Sequence, residues 1–213
     1  MGFPVLILGE SGTGKSYSLR NFANDEIAFV NVLGKPLPFF DSDVKPLVTR
    51  SFATVRQAVL TAPRRAVVVD DAGYLITDLY MRLSYGDEKL RDQFDVYKLI
   101  AHEMYGLMND IVAADPNKVV YITMHTDTTV QGVVQPLTVG KLLNEKIKIV
   151  GMVSTLLLTQ VQGGRYQFVT NGVPPAKSAP GLLPERMDND LKEVDKAIRE
   201  AYRLAPLTDK EEQ

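Results

Sequence analysis

Gly9-Glu10-Ser11-Gly12-Thr13-Gly14-Lys15-Ser16 follows the pattern G-x-x-x-x-G-K-[ST]. The chemistry this spacing serves is polyphosphate binding. Glycines let backbone amides come close to an anion and take φ values that other residues avoid. Lys15 would reach the β- and γ-phosphates, and the Ser16 hydroxyl would bind Mg2+. A helix expected from Lys15 to Ala23 would turn its N-terminal dipole toward the phosphates.

A second group is Val67-Val68-Val69-Asp70-Asp71. A buried apolar strand that ends on carboxylates can deliver one of them to where it holds the magnesium through water. Asp70 takes that role here, and Asp71 is placed to orient or deprotonate an attacking water. The competing reading is a pair of turn-forming residues after a strand. Asp70-x-x-Gly73 also fits the D-x-x-G of GTPases, but no Asn-Lys-x-Asp follows, so adenine is the expected base. Thr123-Met124-His125 ends a further apolar stretch. In the additional-strand class of P-loop ATPases such a strand lies between the P-loop strand and the acidic strand. In that class a polar residue on this strand senses the γ-phosphate, a role that would fall to His125 or Thr123 here; the competing reading of His125 is a loop histidine at a strand end. His102 lies in a helical stretch and reads as structural.

These groups need a scaffold that brings strand ends together. Apolar strands are expected at residues 3–8, 27–32, 66–69, 119–124 and 153–161, and Gly163-Gly164 marks a hairpin into 166–170. Helical spacing covers 52–61, 74–83, 89–113, 141–146 and 188–204. Residues 125–140 are polar and helix-poor. Alternating strands and helices predict an α/β three-layer sandwich, with a mainly parallel sheet that ends in an antiparallel hairpin. Ligands of such sheets bind beyond the carboxyl ends of the strands, where the loops after Leu8, Val32, Val69 and Met124 meet. Residues 1–172 are expected to form the ATPase core, and 173–213 a linker and an amphipathic C-terminal helix. That helix could pack on its own core or on a neighbouring subunit.

Composition narrows the classes. The chain has 213 residues, a net charge of −2 and no cysteine. Disulfides, thiolate metal sites and a cysteine nucleophile are excluded. No strongly basic nucleic-acid footprint exists at the whole-chain level. No apolar run reaches transmembrane length and no signal-peptide layout opens the chain, so a cytoplasmic protein with no membrane partner is expected.

Several segments together resemble a family of bacteriophage ATPases. They are Gly9 to Ser16, Asn31 to Phe39, Asp70-Asp71 with Tyr74-Leu75, Thr123 to His125, Gly140 to Ile147, Ala176-Lys177-Ser178 and Asn189-Asp190-Leu191. The resemblance implies a RecA-like or AAA-type core that binds ATP and Mg2+, encoded beside phage recombination and replication proteins. It also implies a homo-oligomer, with single-stranded DNA as a possible ligand. By position, Thr126 to Val139 corresponds to a DNA-contact loop. Lys141, Lys146 and Lys148 then become candidates to reach a neighbour's γ-phosphate, with Lys177 a further one. The competing reading of these lysines is a solvated helix face, and Lys35 reads as a residue that shapes its loop.

Related RecA-like phage ATPases place an acidic residue at the end of the second strand as catalytic base. Here that strand ends Asn31-Val32-Leu33, which moves the base role to Asp71 and argues for slow hydrolysis. Two other readings stay open. A small nucleotide or metabolite kinase is one, though no tight arginine cluster forms a lid. A slow, non-motor ATP-binding switch is the other.

Overall fold

In the computed structural model, residues 1–208 are described. The strands are β1 (Phe3–Gly9), β2 (Ile27–Asn31), β3 (Leu47–Val48), β4 (Ala66–Asp70), β5 (Val119–Thr128), β6 (Val134–Pro136), β7 (Thr155–Gln162), β8 (Arg165–Val169) and β9 (Arg186–Asp188). The helices are α1 (Phe52–Thr61), α2 (Gly73–Tyr85), α3 (Gln93–Ala113) and α4 (Leu191–Tyr202). The strands lie in the order β3-β2-β4-β5-β1-β7-β8-β9, with β6 paired to β5. From β3 to β7 every neighbour is parallel, while β7-β8 and β8-β9 are antiparallel. The sheet is thus mainly parallel and closes with the expected hairpin. β5 lies between the P-loop strand β1 and the acidic strand β4.

Both faces of the central strands are buried, as their continuous apolar runs require. Successive side chains alternate between faces. Leu6, Leu8, Val67, Val69, Val120 and Ile122 pack with α1, α2 and α3. Val5, Ile7, Val68, Tyr121 and Leu157 point the other way, onto α4 and the turn that carries Leu19 and Phe22. Helix starts are fixed by side chains: Ser51, Asp92 and Asp190 accept backbone N–H bonds at the heads of α1, α3 and α4.

The C-terminal helix packs on its own core. Leu191, Val194 and Ile198 are buried against the sheet. A buried polar network fastens it further. Tyr121 Oη donates to Asp195 Oδ1 at 2.7 Å, and Arg199 Nε donates to Asp195 Oδ2 at 2.5 Å. The Arg199 guanidinium also donates to the carbonyls of Asn117, Ala205 and Arg65. Burial pushes the Asp195 carboxyl up, and Arg199 and Tyr121 oppose the shift.

Three sequence expectations need correction. The helix expected from Lys15 to Ala23 is a short 3-10 turn, Ser16–Leu19. Its serines, aromatic residues and asparagine are poor helix formers, and Asn24-Asp25 stops any extension. The segment 125–140 is not a plain loop: β5 runs on to Thr128 and returns as β6. β-branched threonines and valines flank a Thr129–Val133 turn there, with Gly132 at φ 78. The helix expected at 141–146 is a single wide π-type turn, Leu142–Ile147, closed by left-handed Lys148. No described helix is long and apolar enough to cross a membrane.

Candidate functional site

The register of the parallel strands decides which residues share the carboxyl edge. Gly9 pairs with His125, and Asn31 pairs with Asp70. The P-loop leaves β1 at that edge. Gly12 and Gly14 have φ of 78° and 101°, a region that glycine occupies without strain. Thr13 closes the loop by donating to Glu10 O at 2.8 Å, and its hydroxyl meets Thr159 of β7 at 2.6 Å. Because the following turn is short, an anion placed here would meet loop amides and Lys15 and not a long helix dipole.

Lys15 is buried. Its ammonium donates to Gly9 O at 2.9 Å and Glu10 O at 2.8 Å, and lies 3.3 Å from His125 Nδ1. Burial pulls the Lys15 pKa down, while Asp71 and Asp70 push it back up. An ammonium can only donate, so His125 Nδ1 is the acceptor and Nε2 carries the ring proton. That Nε2 faces Asp71 Oδ1 at 3.4 Å. Burial, with the charge of Lys15, holds His125 below its usual pKa, which keeps the ring neutral.

The two carboxylates are held differently. Asp70 Oδ2 accepts from Ser16 Oγ and Oδ1 accepts from Thr123 Oγ1, both at 2.7 Å. Burial raises the Asp70 pKa against these two hydrogen bonds. A cation would reverse that pressure, and the Ser16 hydroxyl with the Asp70 carboxylate is a donor set that suits Mg2+. Among the described residues no cluster of three His, Asp or Glu could hold a metal, so phosphate oxygens and water would complete the shell. Mg2+ bound there would neutralise phosphate charge. Asp71 takes left-handed φ 58, a conformation acidic residues tolerate, and its N–H donates to Thr123 Oγ1 at 2.8 Å. Thr123 therefore spends its hydroxyl on positioning both carboxylates. His125, by contrast, lines the cavity.

That cavity, about 430 Å3, is bounded by the P-loop, Lys35, Asp71, His125 and Tyr166. Lys35 is the residue that sequence reasoning missed. Its ammonium lies 2.6 Å from Asp71 Oδ2. Burial alone would lower the Lys35 pKa, but the Asp71 contact outweighs it and the pKa is raised. Asn31 explains the placement. Its Oδ1 accepts from Gly34 N–H at 2.8 Å and its Nδ2 donates to Lys35 O at 2.7 Å. The amide at the end of β2 thus clamps the turn that presents Lys35. A loop lysine four residues after a strand-end asparagine was the available signal.

The other lysines lie elsewhere. Lys141, Lys146 and Lys148 are exposed and do not line this cavity. Lys177 donates to Val150 O at 2.6 Å within its own chain. Thr126 to Val139 contains Asp127 and no lysine or arginine.

The strand order and the loop at the sheet edge are consistent with a P-loop nucleoside-triphosphatase fold. No protein-family model matches the chain, and no curated protein matches it. Among solved structures it is similar to the X-ray structure of the ATPase DotB of Legionella pneumophila. The identity is 15% and the TM-score 0.38, over 95% of this chain and 52% of that one. The chain thus spans about half the length of that structure. So distant a likeness carries no functional argument; the geometry of the loop and carboxylates does.

Proposed function

We propose that the chain is an Mg2+-dependent, ATP-hydrolysing P-loop protein of RecA-like type. The observation that supports this most is the pairing of Ser16 with Asp70 at 2.7 Å beside the buried ammonium of Lys15. It puts a metal donor set and a phosphate cation at one sheet edge. In this reading the P-loop amides and Lys15 bind the phosphates, and Ser16 and Asp70 hold Mg2+. Asp71 takes the proton of the attacking water, and neutral His125 orients it. Charge that develops on the phosphates is offset by lysine. Phosphate release from ATP with and without Mg2+ tests the reading directly. Release that is Mg2+-dependent supports it, and none under any condition favours a static switch. The pairing of Asp71 with both Lys35 and His125 is the observation that keeps the switch as second reading.

The basic charge at the γ-phosphate end has two possible sources. Lys35 comes from the same chain and already lies in the cavity; Lys146 or Lys148 would come from a neighbour. From the geometry, Lys35→Ala is expected to lower turnover about 100-fold, the usual loss of one transition-state donor. The double change Lys146→Ala, Lys148→Ala should stay within about two-fold on the same argument. The reverse pattern, with activity restored by mixing Lys15→Ala and Lys146→Ala, Lys148→Ala subunits, would assign the role to the neighbour.

The phage-type resemblance extends the proposal to a homo-oligomer acting on single-stranded DNA in recombination or replication. The β5–β6 hairpin is the candidate contact. With no basic residue in Thr126 to Val139, a monomer should bind DNA weakly. Binding is expected to rise with ATP and protein concentration and to fall with salt. Tight, nucleotide-independent binding by a monomer would contradict this extension.

A further inference from the structure

The cavity has two chemically distinct ends, and the strand order separates them. Lys35, Asp71 and His125 come from the β2, β4 and β5 side of β1. Tyr166 comes from β8, on the opposite side. Lys15, Ser16 and Asp70 fix the phosphate–metal end toward β4. The rest of a nucleotide anchored there would extend the other way, toward Tyr17 and Tyr166.

That end is aromatic. The two tyrosine rings lie 5.3 Å apart, tilted by 43°, and the Arg20 guanidinium sits 4.4 Å above Tyr17. Asn189 lies behind Tyr166. Its backbone is held by its own N–H bond to Tyr166 O at 3.2 Å and by Arg20, which donates to Asn189 O. The side chain is 1% exposed, and neither Oδ1 nor Nδ2 has a hydrogen-bond partner among the described residues. Both side chains close on the P-loop. A Cβ placed on Gly14 would come within 2.9 Å of Tyr166 Cδ1 and 3.0 Å of Asn189 Oδ1. Buried amides are almost always paired, so this one stands out.

We infer that Tyr17, Tyr166 and Asn189 form the base subsite of the nucleotide site. The inference rests on the P-loop reading above and names the base that the site prefers. The rings supply a stacking surface, which any base can use. The Asn189 amide supplies one acceptor and two donors, which match the N6 amino group and N7 of adenine, an edge on which hypoxanthine presents two acceptors. The Tyr166 side chain is exposed, and a turn of its ring off Gly14 would open the amide to the base.

The test compares three ligands in the presence of Mg2+: ATP, ITP, which carries an oxygen in place of the N6 amino group, and inorganic tripolyphosphate, which has no base. Wild type should prefer ATP over ITP by about 10-fold or more, the penalty for an unpaired buried amide oxygen. Asn189→Leu should bring that ratio to within about two-fold and leave tripolyphosphate binding unchanged. Tyr166→Ala should weaken ATP and ITP alike by about 10-fold, again sparing tripolyphosphate. An unchanged ATP:ITP ratio in Asn189→Leu overturns the inference. So does equal weakening of all three ligands in both variants, which marks these residues as supports of the P-loop. If Asn189→Leu does not fold, Asn189→Ser carries the same ratio test. Wild type that fails to bind tripolyphosphate overturns the P-loop reading itself, and the subsite with it.

Discussion

Asp71→Asn is expected to bind Mg·ATP within about three-fold of wild type and to hydrolyse it about 100- to 10,000-fold more slowly. The substitution keeps the shape of the side chain and removes its charge and basicity. Binding should survive because the groups assigned to phosphate and metal are others: Lys15 on the loop carbonyls, and Ser16 and Thr123 on Asp70. Turnover should fall because Asp71 is the buried carboxylate that faces the cavity beside His125. Single-turnover phosphate release at saturating ATP separates the two effects. Hydrolysis at the wild-type rate would remove Asp71 from the chemistry. Weakened binding together with slowed turnover would instead mark it as part of the ground-state site.

Arg199→Ala is expected to destabilise the fold by about 3–5 kcal/mol, because it leaves the Asp195 carboxylate buried without its cation. For a chain of this size that is a fall in Tm of roughly 10 °C. The loss is large since Arg199 also satisfies the carbonyls of Asn117, Ala205 and Arg65. Replacing the whole network by Tyr121→Phe, Asp195→Leu and Arg199→Met should recover only part of it. The buried charges would be gone, but the carbonyls of Asn117 and Ala205 would still miss the Arg199 donor, while that of Arg65 keeps the Val119 N–H. A calorimetric melt reads both variants. A shift of less than about 3 °C for Arg199→Ala would show that the network contributes little, as exposed ion pairs do.

The core strands were legible because their signal is strong and local. Ala66-Val67-Val68-Val69 and Val5 to Leu8 are apolar runs buried on both faces, and each ends on the chemistry that the motifs announced. α1 falls on the expected 52–61. The P-loop helix failed because a motif implied it while its residues, Ser16 to Asn24, do not favour it. β3, β6 and β9 have two or three residues each, too short for any period to show. Within the site, the edge positions of Asp70, Asp71 and His125 followed from strand ends. Lys35 did not. Its reach to Asp71 depends on the Asn31 clamp, a contact between a strand end and the turn after it that no periodicity encodes. Asn31 itself was read for the carboxylate it lacks, whereas its amide holds a loop. Tyr166 and Asn189 lie some 150 residues or more from the P-loop, and only the β7–β8–β9 pairing brings them to Gly14.

The central claim is that this loop binds a triphosphate, and calorimetric titration of Mg·ATP into wild type and Lys15→Ala tests it most directly. Lys15 bonds to the loop carbonyls of Gly9 and Glu10 at the cavity, so a melt recorded beside the titration checks that the variant is folded. The account predicts saturable, Mg2+-dependent binding by wild type and a loss of at least about 100-fold in affinity in the variant, close to 2.7 kcal/mol. Equal affinity in a folded Lys15→Ala protein would contradict it.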